Sequence, residues 1–143
     1  MIEQVEHEGL QLAIILRHTA QREGIEFFTD ENATLQLGYM NRPVGYLIAP
    51  HVHKPVRREI IYTQEALFIR KGRLRVDFYD EAERFVQSTI LTTGDVVLLI
   101  RGGHGFEMLE RSEIIEVKQG PFAGDRDKRR FEPKSLASAG ATK

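Results

Sequence analysis

The chain has 143 residues, with 20 basic against 21 acidic side chains, a net charge of −1 and no cysteine. A single domain of that size buries roughly two-thirds of its unfolded surface without covalent staples. The missing thiols exclude disulfides, thiolate zinc sites and cysteine nucleophiles, and the balanced charge excludes a nucleic-acid binder held by bulk charge. The longest apolar runs, Leu12 to Leu16 and Val96 to Ile100, fall far short of the ~20 residues that cross a bilayer, so no membrane partner is expected. The N-terminus is acidic where an export signal would be basic, so the expected location is cytoplasmic.

Leu10, Leu12, Ile14 and Leu16 alternate, and the run from Gly9 to Arg17 reads as a strand. A short strand over Ile25 to Thr29 ends in the turn-forming Asp30-Glu-Asn32, and a further strand spans Thr34 to Met40. Next comes Gly45-Tyr-Leu-Ile-Ala-Pro-His51-Val-His53. On a strand the side chains alternate faces, so His51 and His53 aim two imidazoles at one point, their Cα atoms about 6–7 Å apart. A long β-rich run from Glu59 to Arg70 follows, and Lys71-Gly72 turns it into Arg73 to Tyr79 as a hairpin. On that return strand Leu74, Val76 and Phe78 share one face, while Arg73, Arg75 and Asp77 share the other.

Asp80 to Glu83 is a turn, Arg84 to Leu91 a strand, and Val96 to Ile100 is apolar at every position, as in a sheet covered on both faces. Gly102-Gly103 bends the chain into His104, and Glu113 to Lys118 is the last strand. Residues 1–123 are expected to form one domain, and 124–143 a solvated charged segment with a disordered, low-complexity tail. Short strands at this spacing, with scarcely a helical pattern, imply an all-β sandwich or barrel.

His104 is the remaining histidine best placed for chemistry, because two glycines before it allow a sharp bend and close backbone approach. Glu65 shares a strand face with Leu67 and Ile69, so an inward carboxylate there needs a partner to stay charged. A cation shared with imidazoles is one such partner. His7 and His18 lie in polar surroundings and read as ordinary surface or hydrogen-bonded residues. Glu107 and Tyr62 are candidates for handling a substrate proton, and Arg42, Arg57, Arg58 and Arg101 for holding an anion, although an exposed, solvated position is the better reading of all six.

The glycine and histidine spacings resemble the paired motifs of the cupin superfamily, small double-stranded β-helix (jelly-roll) barrels with a metal in the barrel mouth. Gly45, His51 and His53 match the opening of the first motif, and Glu65 with Gly72 its close, with eleven residues from Lys54 to Gln64 where the family has three or four. Gly94, Gly102 and His104 match the second motif with one residue deleted before the histidine; Ile100 stands for its proline and Met108 for its asparagine. The resemblance covers about Leu35 to Val117 and implies His51, His53, Glu65 and His104 as ligands of one divalent transition metal: iron, manganese, nickel or zinc. Glu59 competes with Glu65 for the carboxylate role. The resemblance further implies a metal-dependent oxygenase, isomerase or lyase acting on a small oxygen-rich or anionic metabolite, or else a non-catalytic binding cupin. It also suggests a homodimer, for which the strand from Leu10 to Leu16 is the expected pairing element.

Overall fold

The computed structural model describes residues 1–134, so the low-complexity tail expected at the end of the 124–143 segment lies outside the described residues. The described chain is all-β. It contains ten strands joined only by antiparallel pairing, a single 3-10 turn at Gly124–Arg126 and no helix long and apolar enough to cross a membrane. It divides into two compact units, residues 1–20 with the chain from residue 62 onward, and residues 21–61.

In the first unit β1 (Ile2–His7) and β2 (Leu10–Leu16) form a hairpin whose two turn residues, Glu8 and Gly9, both have positive φ. That twist matches the natural twist of the strands. β5 (Glu65–Lys71), β8 (Val96–Leu99) and β10 (Glu113–Lys118) extend this hairpin into a five-stranded sheet of order β1-β2-β8-β5-β10. β6 (Arg73–Tyr79), β7 (Phe85–Thr92) and β9 (Gly103–Met108) form a three-stranded sheet of order β7-β6-β9.

The core lies between these two sheets. Ala13, Ile15, Leu67, Ile69, Val97 and Leu99 come from the first, and Leu74, Val76, Phe78 and Leu91 from the second. β8 is flanked by β2 and β5, which accounts for its unbroken apolar sequence.

The sequence reading errs at one corner. β5 and β6 do not form a hairpin, because at Gly72 the chain leaves one sheet for the other. Gly72 has φ +99°, and a Cβ there would stand 2.5 Å from the Arg111 carbonyl oxygen, so the corner needs glycine. Alternation could not foresee this, since two strands that face each other across a core show the same pattern as two that pair. The hydrogen-bonded hairpin here is β6–β7. Nor is β2 an edge available for pairing with a second copy. It lies inside the sheet, whose edges among the described residues are β1 and β10.

The charged segment expected to be merely solvated is fastened in place. Phe131 meets the Tyr79 ring edge-to-face with centroids 5.2 Å apart, Lys134 bridges to Arg84, and Arg129 and Lys134 both pair with the Glu83 carboxylate. One aromatic residue in a charged run was the available signal.

In the second unit β3 (Gly24–Phe27) and β4 (Gly38–Asn41) form a two-stranded antiparallel sheet. From residue 42 to residue 61 there is no strand, and every residue is exposed. The strand expected around His51 and His53 is therefore absent, as is the N-terminal half of the run expected from Glu59. Pro43, Pro50 and Pro55 each lack the N–H that a ladder requires, and two of them flank the histidine pair.

Candidate metal centre

Strand parity sets up the site within the first unit. On β5 the core face carries Leu67 and Ile69, and Glu65 is next in the same series, only 7% exposed. On β9 the core face carries Phe106, which pairs opposite Val76, and His104 two residues earlier pairs opposite Phe78. The two side chains thus meet from opposing sheets, with His104 Nε2 3.2 Å from Glu65 Oε2.

The hydrogen bond from His104 holds the Glu65 carboxyl below the usual carboxylate range. It prevails over burial, which pushes the other way, and the charges of Lys118 and Lys128 add to it. The carboxylate is thus kept ionised, as a cation ligand must be, and a cation binding here would displace the proton that His104 Nε2 shares with it. The donor types suit a borderline divalent metal, and two donors each ~2.1 Å from one ion stand about 3 Å apart, which matches this pair.

His51 and His53 belong to the exposed 42–61 segment. Their ring centroids are 5.2 Å apart, edge to face, and His51 Nδ1 lies 2.9 Å from the Ala49 carbonyl oxygen. The two imidazoles are neighbours as expected, though by local chain bending and not by strand parity. Glu59 is exposed in the same segment and, unlike Glu65, is not on a strand. No group of three or more His, Asp or Glu that could hold a metal ion occurs among the described residues.

The remaining candidates separate cleanly. Glu107 pairs with Arg75 at 2.7 Å and has the opposite parity to His104 on β9, so it faces away from the core. Tyr62 lies under the Arg101 guanidinium, 4.4 Å from ring centroid to Cζ, and lines a cleft of about 460 Å³ with Glu81, Gly102, Gly103, Arg129 and Phe131. Arg101 also lies 3.6 Å from Glu81, so it is already engaged. Arg42 stacks on Tyr46, and Arg58 donates to the Val56 carbonyl oxygen.

His18 takes the hydrogen-bonded one of the two ordinary roles open to it. Its backbone N–H and its ring Nδ1 both approach Asp95 Oδ1, at 2.8 and 3.0 Å, while Arg17 and the Thr92 N–H bond Oδ2. Burial pushes the Asp95 carboxyl up, but the hydrogen bonds from His18, Thr92 and Arg17 outweigh it and leave it below its usual range. This cluster ties the β7–β8 turn to the end of β2 and is structural. No family model matches the chain, and no curated protein or solved structure matches it.

Proposed function

We propose that this chain is a jelly-roll metalloenzyme of the cupin type, in which Glu65 and His104 bind one divalent transition metal; His51 and His53 are the further ligands that the sequence resemblance implies. The observation that carries the reading is the Glu65–His104 pair: a 7%-exposed carboxylate and an imidazole from opposing sheets, their donor atoms 3.2 Å apart. The path of the chain supports the jelly-roll part. It crosses between the two facing sheets at every connection from β5 to β10 except β6–β7. His51 and His53 enter through the sequence resemblance and through their proximity to each other.

A metal so held would supply Lewis-acid polarisation of a substrate oxygen or, as Fe(II), a centre for O₂. The protein's share is to keep Glu65 ionised, to hold His104 against it, and to present both from a packed core that fixes their positions. Tyr62, with its hydroxyl-bearing ring beneath a guanidinium, is the candidate proton donor for the oxygenase, isomerase or lyase step. Glu107, committed to Arg75 on the other face, is not. The substrate class is a small oxygen-rich or anionic metabolite, and a cytoplasmic homodimer remains part of the proposal.

The test is elemental analysis of protein purified without added metal, followed by oxygen uptake with a panel of small acids and sugars. We expect about one transition-metal ion per chain, lost in Glu65→Gln and in His104→Ala. Iron with oxygen uptake would mark an oxygenase, and zinc or nickel without uptake an isomerase or lyase. Wild-type occupancy in a Glu65→Gln, His104→Ala double variant would sink the site.

A further inference from the structure

We infer that β10 is a dimerisation edge, which pairs antiparallel with β10 of a second copy of this chain about a two-fold axis beside Val117. This gives a surface to the homodimer of the reading above, and it needs no metal. The open side of β10 follows from its bonds to β5. Lys118 stands opposite Glu65, and the Gln119 N–H donates to the Gln64 carbonyl oxygen, so the odd-numbered residues of β10 turn their backbone groups toward β5. Ile114, Glu116 and Lys118 therefore present theirs to the open edge, where they meet no partner among the described residues. Such a row is a template for another strand.

The two edges of this sheet differ. β1 carries a bulge at Val5/Glu6, a device that spoils edge pairing, whereas β10 runs in regular register with β5 from Ile114 to Lys118. Pro121 lacks an N–H and ends the available row. The outer face suits the same partner. Ile114 packs on the core, so Ile115 and Val117 point outward, and Phe68 lies directly opposite Ile115. Ile115 and Val117 are each 52% exposed and Phe68 41%, so apolar surface runs up to the open edge.

Charge complementarity selects a second copy as the occupant and fixes the register. Two β10 strands continue one sheet with their faces matched only if opposed residues have the same parity. Centring the pair on Val117 puts Glu116 of each copy opposite Lys118 of the other, twice by symmetry, with Val117 against its own counterpart on the outer face. Centring it on Glu116 would set that carboxylate against itself, and centring it on Ile115 would set Ile114 against Glu116 with no charge pair. Opposite charges directly across a pair favour it, and like charges oppose it. A strand guarded against its own copies needs charges of one sign, whereas Glu116 and Lys118 make this strand complementary to itself. The contact is isologous, so it closes on two copies and leaves the joined sheet with only its bulged β1 edges.

The experiment is sedimentation equilibrium of the full chain across a concentration series, with metal content and unfolding midpoint measured on the same samples. We expect a monomer–dimer equilibrium with a Kd of roughly micromolar order, because a strand-edge contact falls at the small end of protein interfaces. Glu116→Pro removes an outward N–H and spares the bonds to β5, so it should fold and stay monomeric throughout. Glu116→Lys and Lys118→Glu each turn two symmetry-related pairs into like-charge pairs and should raise Kd by at least about tenfold. The two together exchange the charges and should return Kd to within a few-fold of wild type, a readout that holds even if the proline variant does not fold. A monomer at every concentration, assemblies larger than two, a dimer that persists in folded Glu116→Pro, or a charge exchange that restores nothing overturns the inference. A metal-loaded monomer would sink this inference alone. A metal-free dimer that weakens in the single reversals and recovers in the exchange would uphold it and sink the metal reading.

Discussion

Residues 65–84 and 42–61 are two stretches of twenty residues with nine apolar side chains each, yet they end in opposite states. The first forms β5 and β6 and buries Leu67, Ile69, Leu74, Val76 and Phe78 in the core. The second has no strand, and all its residues are exposed, Leu47 and Val52 each at 88%. What separates them is order and backbone chemistry, not apolar content. The first alternates with a period of two and has no proline, while the second is broken by three prolines and its apolar residues cluster. Half of the proposed ligand set sits in each kind of chain.

The sharpest test of that contrast is metal binding. Glu65→Gln and His104→Ala remove the proposed ligands held by packed strands and should each lower metal affinity by at least about 100-fold, since even indirect supports of a metal site are worth 10–100-fold. His51→Ala and His53→Ala should lower it as well, while thermal unfolding of all four variants stays close to wild type. Equal metal content in wild type and the His51→Ala, His53→Ala double variant would confine the site to the packed region. Glu59→Gln should leave metal content unchanged, and a loss there would move the carboxylate role out of the core.

Stability should depend on the packed region alone. Asp95 is 1% exposed and receives bonds from Arg17, His18 and Thr92, so Asp95→Ala leaves the buried-side N–H groups of His18 and Thr92 without their acceptor and should cost about 3 kcal/mol, while Arg17 keeps Glu3. Denaturant titration measures this, and no single alanine substitution between residues 44 and 61 should approach it. The same carboxyl gives the pH dependence its sign. Its folded-state pKa is depressed, so its contribution is complete above the unfolded value near 3.9 and is lost as pH falls through the folded value. In Asp95→Asn that acid-side loss should shrink, as read from unfolding midpoints between about pH 5 and pH 2.

Limited proteolysis separates the two regions directly. Trypsin should cut first at Lys54, Arg57 or Arg58, where the backbone has few hydrogen bonds, and leave 65–118 intact. Added Mn²⁺ or Zn²⁺ should slow that cut in wild type and not in Glu65→Gln. Early cleavage within β5 to β10 would show that the packed region is not the more stable one.

The smallest effects belong to the histidines outside the proposed site. His7→Ala should leave metal content unchanged, and so should His18→Ala, which should cost about 1 kcal/mol of stability. The His18 backbone N–H keeps its bond to Asp95 when the ring is removed.

The amino-acid sequence alone determined that this is an all-β chain, that Glu65 shares a face with Leu67 and Ile69, and that Gly102-Gly103 bends the chain into His104. These follow from local rules, namely a period of two, turn glycines and the cost of burying an unpaired carboxylate. The tertiary structure alone decided that β5 and β6 face each other across the core instead of pairing, because alternation is the same in both arrangements. It alone placed Lys118 opposite Glu65, which depends on the register of two strands more than forty residues apart. It also supplied the partners of His18 and Phe131, namely Asp95 and Tyr79, which lie far along the chain. β1 went unread because Glu3, Gln4 and Glu6 interrupt its apolar pattern, and only pairing with β2 makes it a strand. Parity along a strand is a local property of the backbone, but the identity of the strand across from it is set by long-range closure, and no window of the sequence contains that.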